Sequence, residues 1–222
     1  LEKLDNNNPF TNFGGDAYGI GITIDDEPTI PLRSTSINTL ITRADVSGKG
    51  IQRVFDERKD LFCEHLNAYY ALKPKKRKDC LALIQDGKLS ALHSGSYAII
   101  PLKGIFEAIE NYFEDSFSKY TLRSAYWSWE YSEVDYSIQD KYFEDVYNKL
   151  SSKYFEGSSK IRLRCISSDV AEAAVRMYPY LIVNDDKFIP LAGTTATRHY
   201  GEANLSDVIN NIKKTFISFE AS

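Results

Sequence analysis

The chain has 222 residues, 43% hydrophobic and 26% charged, with a formal net charge of −4. That balance excludes a disordered chain, and no apolar run approaches the ~20 residues needed to span a bilayer. A net acidic protein has no general basic coat, so any nucleic-acid contact must be a local patch.

Cys63, Cys80 and Cys165 are odd in number, far apart and without Cys-x-x-Cys spacing, which speaks against a disulfide framework or a zinc site and for a reducing cytoplasm. The chain starts Leu-Glu-Lys without Met and without a basic-then-apolar leader, as expected of a trimmed chain or one with a segment missing before it. A chain of this length buries roughly 70% of its unfolded surface. Residues 1–16 are polar, rich in Asn and Gly and without period, so an extended N-terminal arm is expected there, with a single domain over 17–222.

Ala17 to Ile24 sets Ile20, Ile22 and Ile24 on one face, and Asp25-Asp26-Glu27-Pro28 turns the chain into Thr29 to Leu32, a hairpin. Ser34-Thr35-Ser36 offers N-caps to a helix with Ile37, Leu40 and Ile41, ending near Asp45. Ser47 is placed to cap the next helix, which carries Ile51, Val54 and Phe55, and Leu61, Phe62, His65, Leu66 and Tyr69 continue the helical spacing, with His65 on the apolar side. Leu40 to Phe55 has the order of a helix-turn-helix, with Lys49, Gln52 and Arg53 as its only candidate readers; plain packing is the commoner fate of such a pair. Lys73, Lys75, Lys76, Arg77 and Lys78 form the one dense basic run. It is suited to holding phosphates or, alternatively, to guarding a sheet edge against pairing.

Asp86-Gly87 between two apolar runs is a strong hairpin signal. Cys80 to Ile84 is apolar on both faces and is expected inside a sheet. Tyr97 to Ile100 reads as a further short strand, and Leu102, Ile105, Phe106, Ile109 and Phe113 repeat at helical spacing. Tyr120 to Tyr136 is a long β stretch whose alternation sets Trp127, Trp129 and Tyr131 on one face and Tyr126 on the other. Exposed, these rings stack bases; buried, they are one side of a core, the commoner fate of Trp. Glu130, Glu133 and Asp135 lie close by and would repel phosphates.

Gln139 to Tyr154 is an amphipathic helix with Tyr142, Phe143, Val146, Tyr147 and Leu150 as its stripe. Ile161 to Ile166 alternates as a strand whose other face carries Arg162 and Arg164. A hairpin over Ala174 to Leu191 turns at Asn184-Asp185-Asp186-Lys187, with Pro179 and Pro190 at an edge or bulge. Asn204 or Ser206 caps a last helix with Val208, Ile209, Ile212 and Phe216 inward. The fold class that follows is α+β, a largely antiparallel mixed sheet built from hairpins with helices packed on it.

His93, His199, Ser168 and Asp169 sit where strands end, and if they converged they would make a Ser/His/Asp arrangement for hydrolysis. No Gly-x-Ser-x-Gly elbow, phosphate-cradling glycine loop, dinucleotide fingerprint or His-Glu-x-x-His pair accompanies them, and no cofactor or metal is implied.

Pro31 to Phe55, then Ala91-Leu-His-Ser-Gly-Ser-Tyr-Ala-Ile-Ile-Pro101 leading into a helix, then Ile166-Ser-Ser-Asp-Val170 and Arg198-His-Tyr-Gly201, resemble in order a phage- and plasmid-borne protein family of unknown function. The chain departs from that pattern at Ser167, where Asn is common, and at Tyr200 between the His and Gly. The resemblance implies a mobile-element origin and a bacterial cytoplasm, and marks His93, Ser94, Tyr97, Ser168, Asp169, Arg198 and His199 as positions without an assigned role. The expectation is an accessory protein that binds nucleic acid non-catalytically through the basic run, Arg162, Arg164, Trp127 and Trp129. The alternatives are a module that blocks a host protein, and a hydrolase using His93 and His199.

Overall fold

A computed structural model describes residues 1–4, 17–46, 48–72, 79–117, 119–141, 144–145, 148–149, 152–153, 157–170, 174–191 and 194–220. The chain divides into two compact units, Leu1–Ser96 and Tyr97–Ser222. The class is α+β, with two mostly antiparallel sheets.

In the first unit, strands β1 (Glu2–Lys3), β2 (Ala17–Ile22) and β3 (Ile30–Arg33) lead into helices α1 (Ser34–Arg43), α2 (Lys49–Glu57) and α3 (Lys59–Leu72). Strands β4 (Cys80–Gln85) and β5 (Lys88–Ser94) follow. The sheet order is β1-β2-β3-β5-β4. All neighbours are antiparallel except β3 and β5, which the three helices and β4 connect as a crossover. Ile20, Leu32, Leu40, Phe62, Leu66 and Leu89 form the core, and the Phe55 and Phe62 rings meet edge to face at 5.1 Å.

The hairpins expected from Asp25-Asp26-Glu27-Pro28 and Asp86-Gly87 are present; Asp86 and Gly87 have φ of 52° and 69°, the twist a two-residue turn needs. Several expectations are corrected. Cys80 to Ile84 is not inside the sheet: β5 takes the inner place, bonded by β3 and β4, and β4 lies at the end with Leu81 and Ile84 40% and 49% exposed. Ser34 to Ser36 do not cap α1; Arg33 is the N-cap, and the Ser36 and Thr35 hydroxyls donate to the carbonyls of Arg33 and Ser90. His65 is exposed rather than packed: the buried side of α3 runs through Phe62, Cys63 and Leu66, which leaves His65 and Tyr69 outside it. Ser47 and residues 5–16 of the expected arm lie outside the described residues, while Glu2–Lys3 pairs with β2 and Leu4 is buried.

The second unit contains helix α4 (Leu102–Ser116), strands β6 (Lys119–Trp127), β7 (Ser132–Gln139), β8 (Ser159–Ser167), β9 (Val175–Val183), β10 (Lys187–Pro190) and β11 (Thr195–Thr197), and helix α5 (Leu205–Glu220). Its sheet runs β10-β9-β8-β7-β6, with β11 also paired to β9. Alternate residues Val134, Tyr136, Ile138, Ile161, Leu163, Cys165, Met177 and Leu181 face α4 and α5, represented by Ile105, Ile109, Phe113, Val208 and Ile212. Burial pushes the Cys165 thiol up to about 12, so it is an inert core residue.

Tyr97 to Ile100 is not a strand; Ala98 N–H donates to the His199 carbonyl and the chain turns at Pro101 into α4. The long β stretch over 120–136 is two strands, since Ser128 to Tyr131 form a turn. Asn204 caps α5 reciprocally: Ser206 N–H donates to its side-chain oxygen at 2.8 Å and its own N–H donates to Asp207 Oδ2 at 2.9 Å. Pro179 lies mid-strand, but its carbonyl accepts Leu191 N–H, so its missing donor points away from β8, where β10 gives way to β11. The apolar stripe Tyr142, Phe143, Val146, Tyr147 and Leu150, and the Phe216 side chain, lie outside the described residues.

Candidate functional site

The outermost strand of the second sheet, β6, reads Lys-Tyr-Thr-Leu-Arg-Ser-Ala-Tyr-Trp and ends at the tip of the β6–β7 hairpin. The tip is held by Ser128. Its N–H donates to the Tyr131 carbonyl at 2.9 Å, and its hydroxyl oxygen accepts the N–H groups of Glu130 and Tyr131 at 3.2 Å each. Pinning the turn leaves the side chains before it outside the core: Tyr126 and Trp127 are 54% and 64% exposed and Leu122 49%. Trp127 is therefore not a core residue, whereas Trp129 sits half-buried in the turn. The Tyr126 and Tyr131 rings lie 5.3 Å apart at 38°. Lys119 and Arg123 are the charges of β6; it has no carboxylate.

Of the three neighbouring acidic groups, Glu133 and Asp135 are neutralised within the sheet, while Glu130 is exposed in the turn. Register pairs Asp135 with Arg164 and Ser137 with Arg162, so each arginine reaches a carboxylate diagonally. Arg162 Nη1 lies 3.3 Å from Asp135 Oδ2, and Arg164 Nε 3.2 Å from Glu133 Oε1. Tyr180 donates its hydroxyl to Asp135 Oδ2 at 2.6 Å, and burial followed by that carboxylate pushes its phenol up to about 12, so it stays a donor. The Arg164 guanidinium lies 5.6 Å from the Tyr180 ring centre.

Three positions of the resemblance meet at another place in the same unit. The His199 and Tyr97 rings stack at 5.2 Å and 5°. His199 Nδ1 lies 3.1 Å from the Ala98 carbonyl oxygen, which only accepts, so the proton sits on Nδ1 and the Nε2 lone pair remains, buried and without a partner among the described residues. Tyr97 donates its hydroxyl to the Asp169 carbonyl at 3.2 Å. Burial lowers the His199 pKa from its ordinary value, against the Ala98 carbonyl and the Asp169 charge; burial raises that of Asp169, against His199. Ser168 is fully buried and its hydroxyl donates to the Glu130 carbonyl, which commits it to the chain.

The remaining expected positions are scattered. His93 is buried in β5 of the first unit, where its carbonyl accepts Arg43 Nη2 at 3.1 Å. Ser94 shares a 2.9 Å hydrogen bond with Ser96, and Arg198 is exposed. Lys73, Lys75, Lys76, Arg77 and Lys78 lie outside the described residues. Among the described residues, no group of three or more His, Cys, Asp and Glu side chains is placed to hold a metal, and no helix is long and apolar enough to cross a membrane. Sequence reasoning missed the Asp135–Arg162–Tyr180 network. Opposite charges on one strand face were visible, but which carboxylate each arginine meets depends on the register between β7 and β8. No family model, no curated protein and no solved structure matches the chain.

Proposed function

We propose that this chain binds single-stranded nucleic acid without catalysing a reaction on it, with β6 and the tip of its hairpin as the contact surface. The observation that carries the reading is the exposure of Tyr126 and Trp127, one on each face of the tip of a sheet-end strand whose charges are Lys119 and Arg123. Aromatic rings beside cations on a sheet surface suit unstacked bases and their phosphates. The ion pairs support it further: Glu133 and Asp135 are each matched by an arginine, which removes the repulsion their charges would exert on a phosphate chain. The same pairs occupy Arg162 and Arg164, so the phosphates are assigned to Lys119 and Arg123 and, from sequence alone, to the basic run over 73–78. A mobile-element protein working in a bacterial cytoplasm, as the resemblance implies, meets such strands during transfer and replication.

Fluorescence anisotropy with labelled single- and double-stranded oligonucleotides at low and moderate salt tests this. Single strands are expected to bind at micromolar protein, and Trp127→Ala to weaken them about 5- to 150-fold, the equivalent of losing ~1–3 kcal/mol of base stacking. Absence of binding at low salt, or an unchanged affinity in Trp127→Ala, would overturn the reading.

Leu122 favours a second reading. An exposed aliphatic side chain next to Arg123 in the strand and on the same sheet face as Trp127 gives a hot-spot composition for a protein partner. A host protein captured by the wild type, lost with Leu122→Ser and not displaced by oligonucleotides, would replace the first reading with this one.

A further inference from the structure

Among the described residues, β4 ends its sheet without the devices that protect the other sheet ends; the basic run over 73–78 that precedes it lies outside them. β1 is two charged residues; β6 carries Lys119 and Arg123 and a register slip between Leu122 and Ser124; β10 is four residues closed by Pro190, and β11 is three residues. β4 is six residues, Cys-Leu-Ala-Leu-Ile-Gln, with no charge and no proline. The slip in its pairing falls in β5, where Ser90 is passed over, so β4 itself alternates regularly. Cys80, Leu81, Ala82 and Ile84 are exposed. An apolar edge of this kind is a template for another strand.

The backbone groups that face outward can be identified. The Asp79 carbonyl accepts Gly95 N–H, and Gln85 closes the hairpin opposite Lys88, so the odd-numbered residues bond towards β5. Cys80, Ala82 and Ile84 then turn their N–H and C=O groups away from the sheet.

We propose that β4 pairs antiparallel with β4 of a second copy of this chain, about a two-fold axis at Ala82. Composition selects both occupant and register. A strand without charge sets no like charges against its own copy, and a closed two-fold is the commonest arrangement of identical chains. Centred on Ala82, outward-bonding residues meet outward-bonding residues: Ala82 faces itself and Cys80 faces Ile84 of the second copy. Leu81 meets Leu83 of the second copy on the other face, apolar against apolar. Centred on Leu83, Leu81 would meet Gln85 and Cys80 would meet Asp86. One strand pair buries less than the ~1,200 Å² of a standard interface, so the dimer forms at micromolar concentration or above.

Sedimentation velocity over a concentration series tests this with Ala82→Lys and Ala82→Glu. The wild type is expected to shift from monomer to dimer with concentration. Each variant alone is expected to remain monomeric, because like charges meet on the axis, and an equimolar mixture of the two to recover the dimer. A wild type that stays monomeric at high concentration would overturn the proposal, as would either variant dimerising alone or a mixture that stays monomeric. Far-UV circular dichroism accompanies each sample; loss of the fold in either variant would also overturn it, since Ala82 would then not lie on an exposed edge.

Discussion

His199 is held at one ring nitrogen and buried at the other, so the fold opposes its charged form. Its folded pKa lies below the ordinary 6.5, mainly through burial. As pH falls through 6.5 the unfolded chain takes up a proton that the folded chain resists, so His199 lowers stability on the acid side of that value and has no effect above it. Asp169 acts in a lower window. Its folded pKa is raised above 3.8, so stability is lost as pH rises from 3.8 through the folded value and then stays level. An NMR titration of the histidine ring protons is expected to place the His199 midpoint below 6.5; a midpoint at or above 6.5 would show that burial does not outweigh the Ala98 carbonyl and the Asp169 charge. Gly21 is a second residue set by its neighbours, since a Cβ there would run into the Thr29 methyl and lie 3.0 Å from Leu4. Gly21→Val is expected to cost about 1–3 kcal/mol in urea unfolding by displacing both side chains. An unchanged urea midpoint would show that they move aside freely.

Pairing between β7 and β8 places four charged side chains of the second unit on one face of its sheet, and two of them, Asp135 and Arg162, are almost fully buried. Removing one partner leaves the other charge desolvated and unpaired. Asp135→Ala is expected to lower unfolding free energy by about 3–5 kcal/mol, and the double change Asp135→Leu with Arg162→Leu by markedly less. Equal losses in the two variants would mean that Arg162 finds water once its partner is gone. The same element logic separates the outer strands: β6 is charged and slipped, β4 neutral and regular, so β6 suits a ligand carrying phosphates and β4 suits another strand.

Each unit of the whole molecule has its own hydrophobic cluster, one drawn entirely from Leu1–Ser96 and the other entirely from Tyr97–Ser222. A fragment over residues 97–222 is accordingly expected to fold alone, with dispersed amide resonances and a cooperative thermal transition. A fragment that stays unfolded would show that its core depends on the first unit. The salt dependence of oligonucleotide binding apportions charge across the chain. Lys119 and Arg123 together account for a log–log slope of at most about −1.4 on single strands. A steeper slope that flattens when Lys75, Lys76, Arg77 and Lys78 become Ser would assign phosphates to the basic run as well.

The α+β class, the three Asp-containing hairpins, the α4 and α5 helices and the Asn204 cap were all legible in the sequence. Each rests on contacts a few residues apart: φ > 0 at Asp86-Gly87, an apolar stripe at helical spacing, a side chain bonding the next turn. What stayed hidden depends on partners distant along the chain. Cys80 to Ile84 and Leu89 to Leu92 have similar apolar character, and only the pairing of β3 with β5 decides which strand is inner and which is left at the edge. Trp127 alternates like a core residue, yet the turn pinned by Ser128 leaves it outside. Tyr97 read as the start of a strand and Asp169 and His199 as lying at strand ends, and their meeting, like that of Arg162 with Asp135, was decided by tertiary structure, because burial and ion pairing are properties of neighbours that local sequence does not contain.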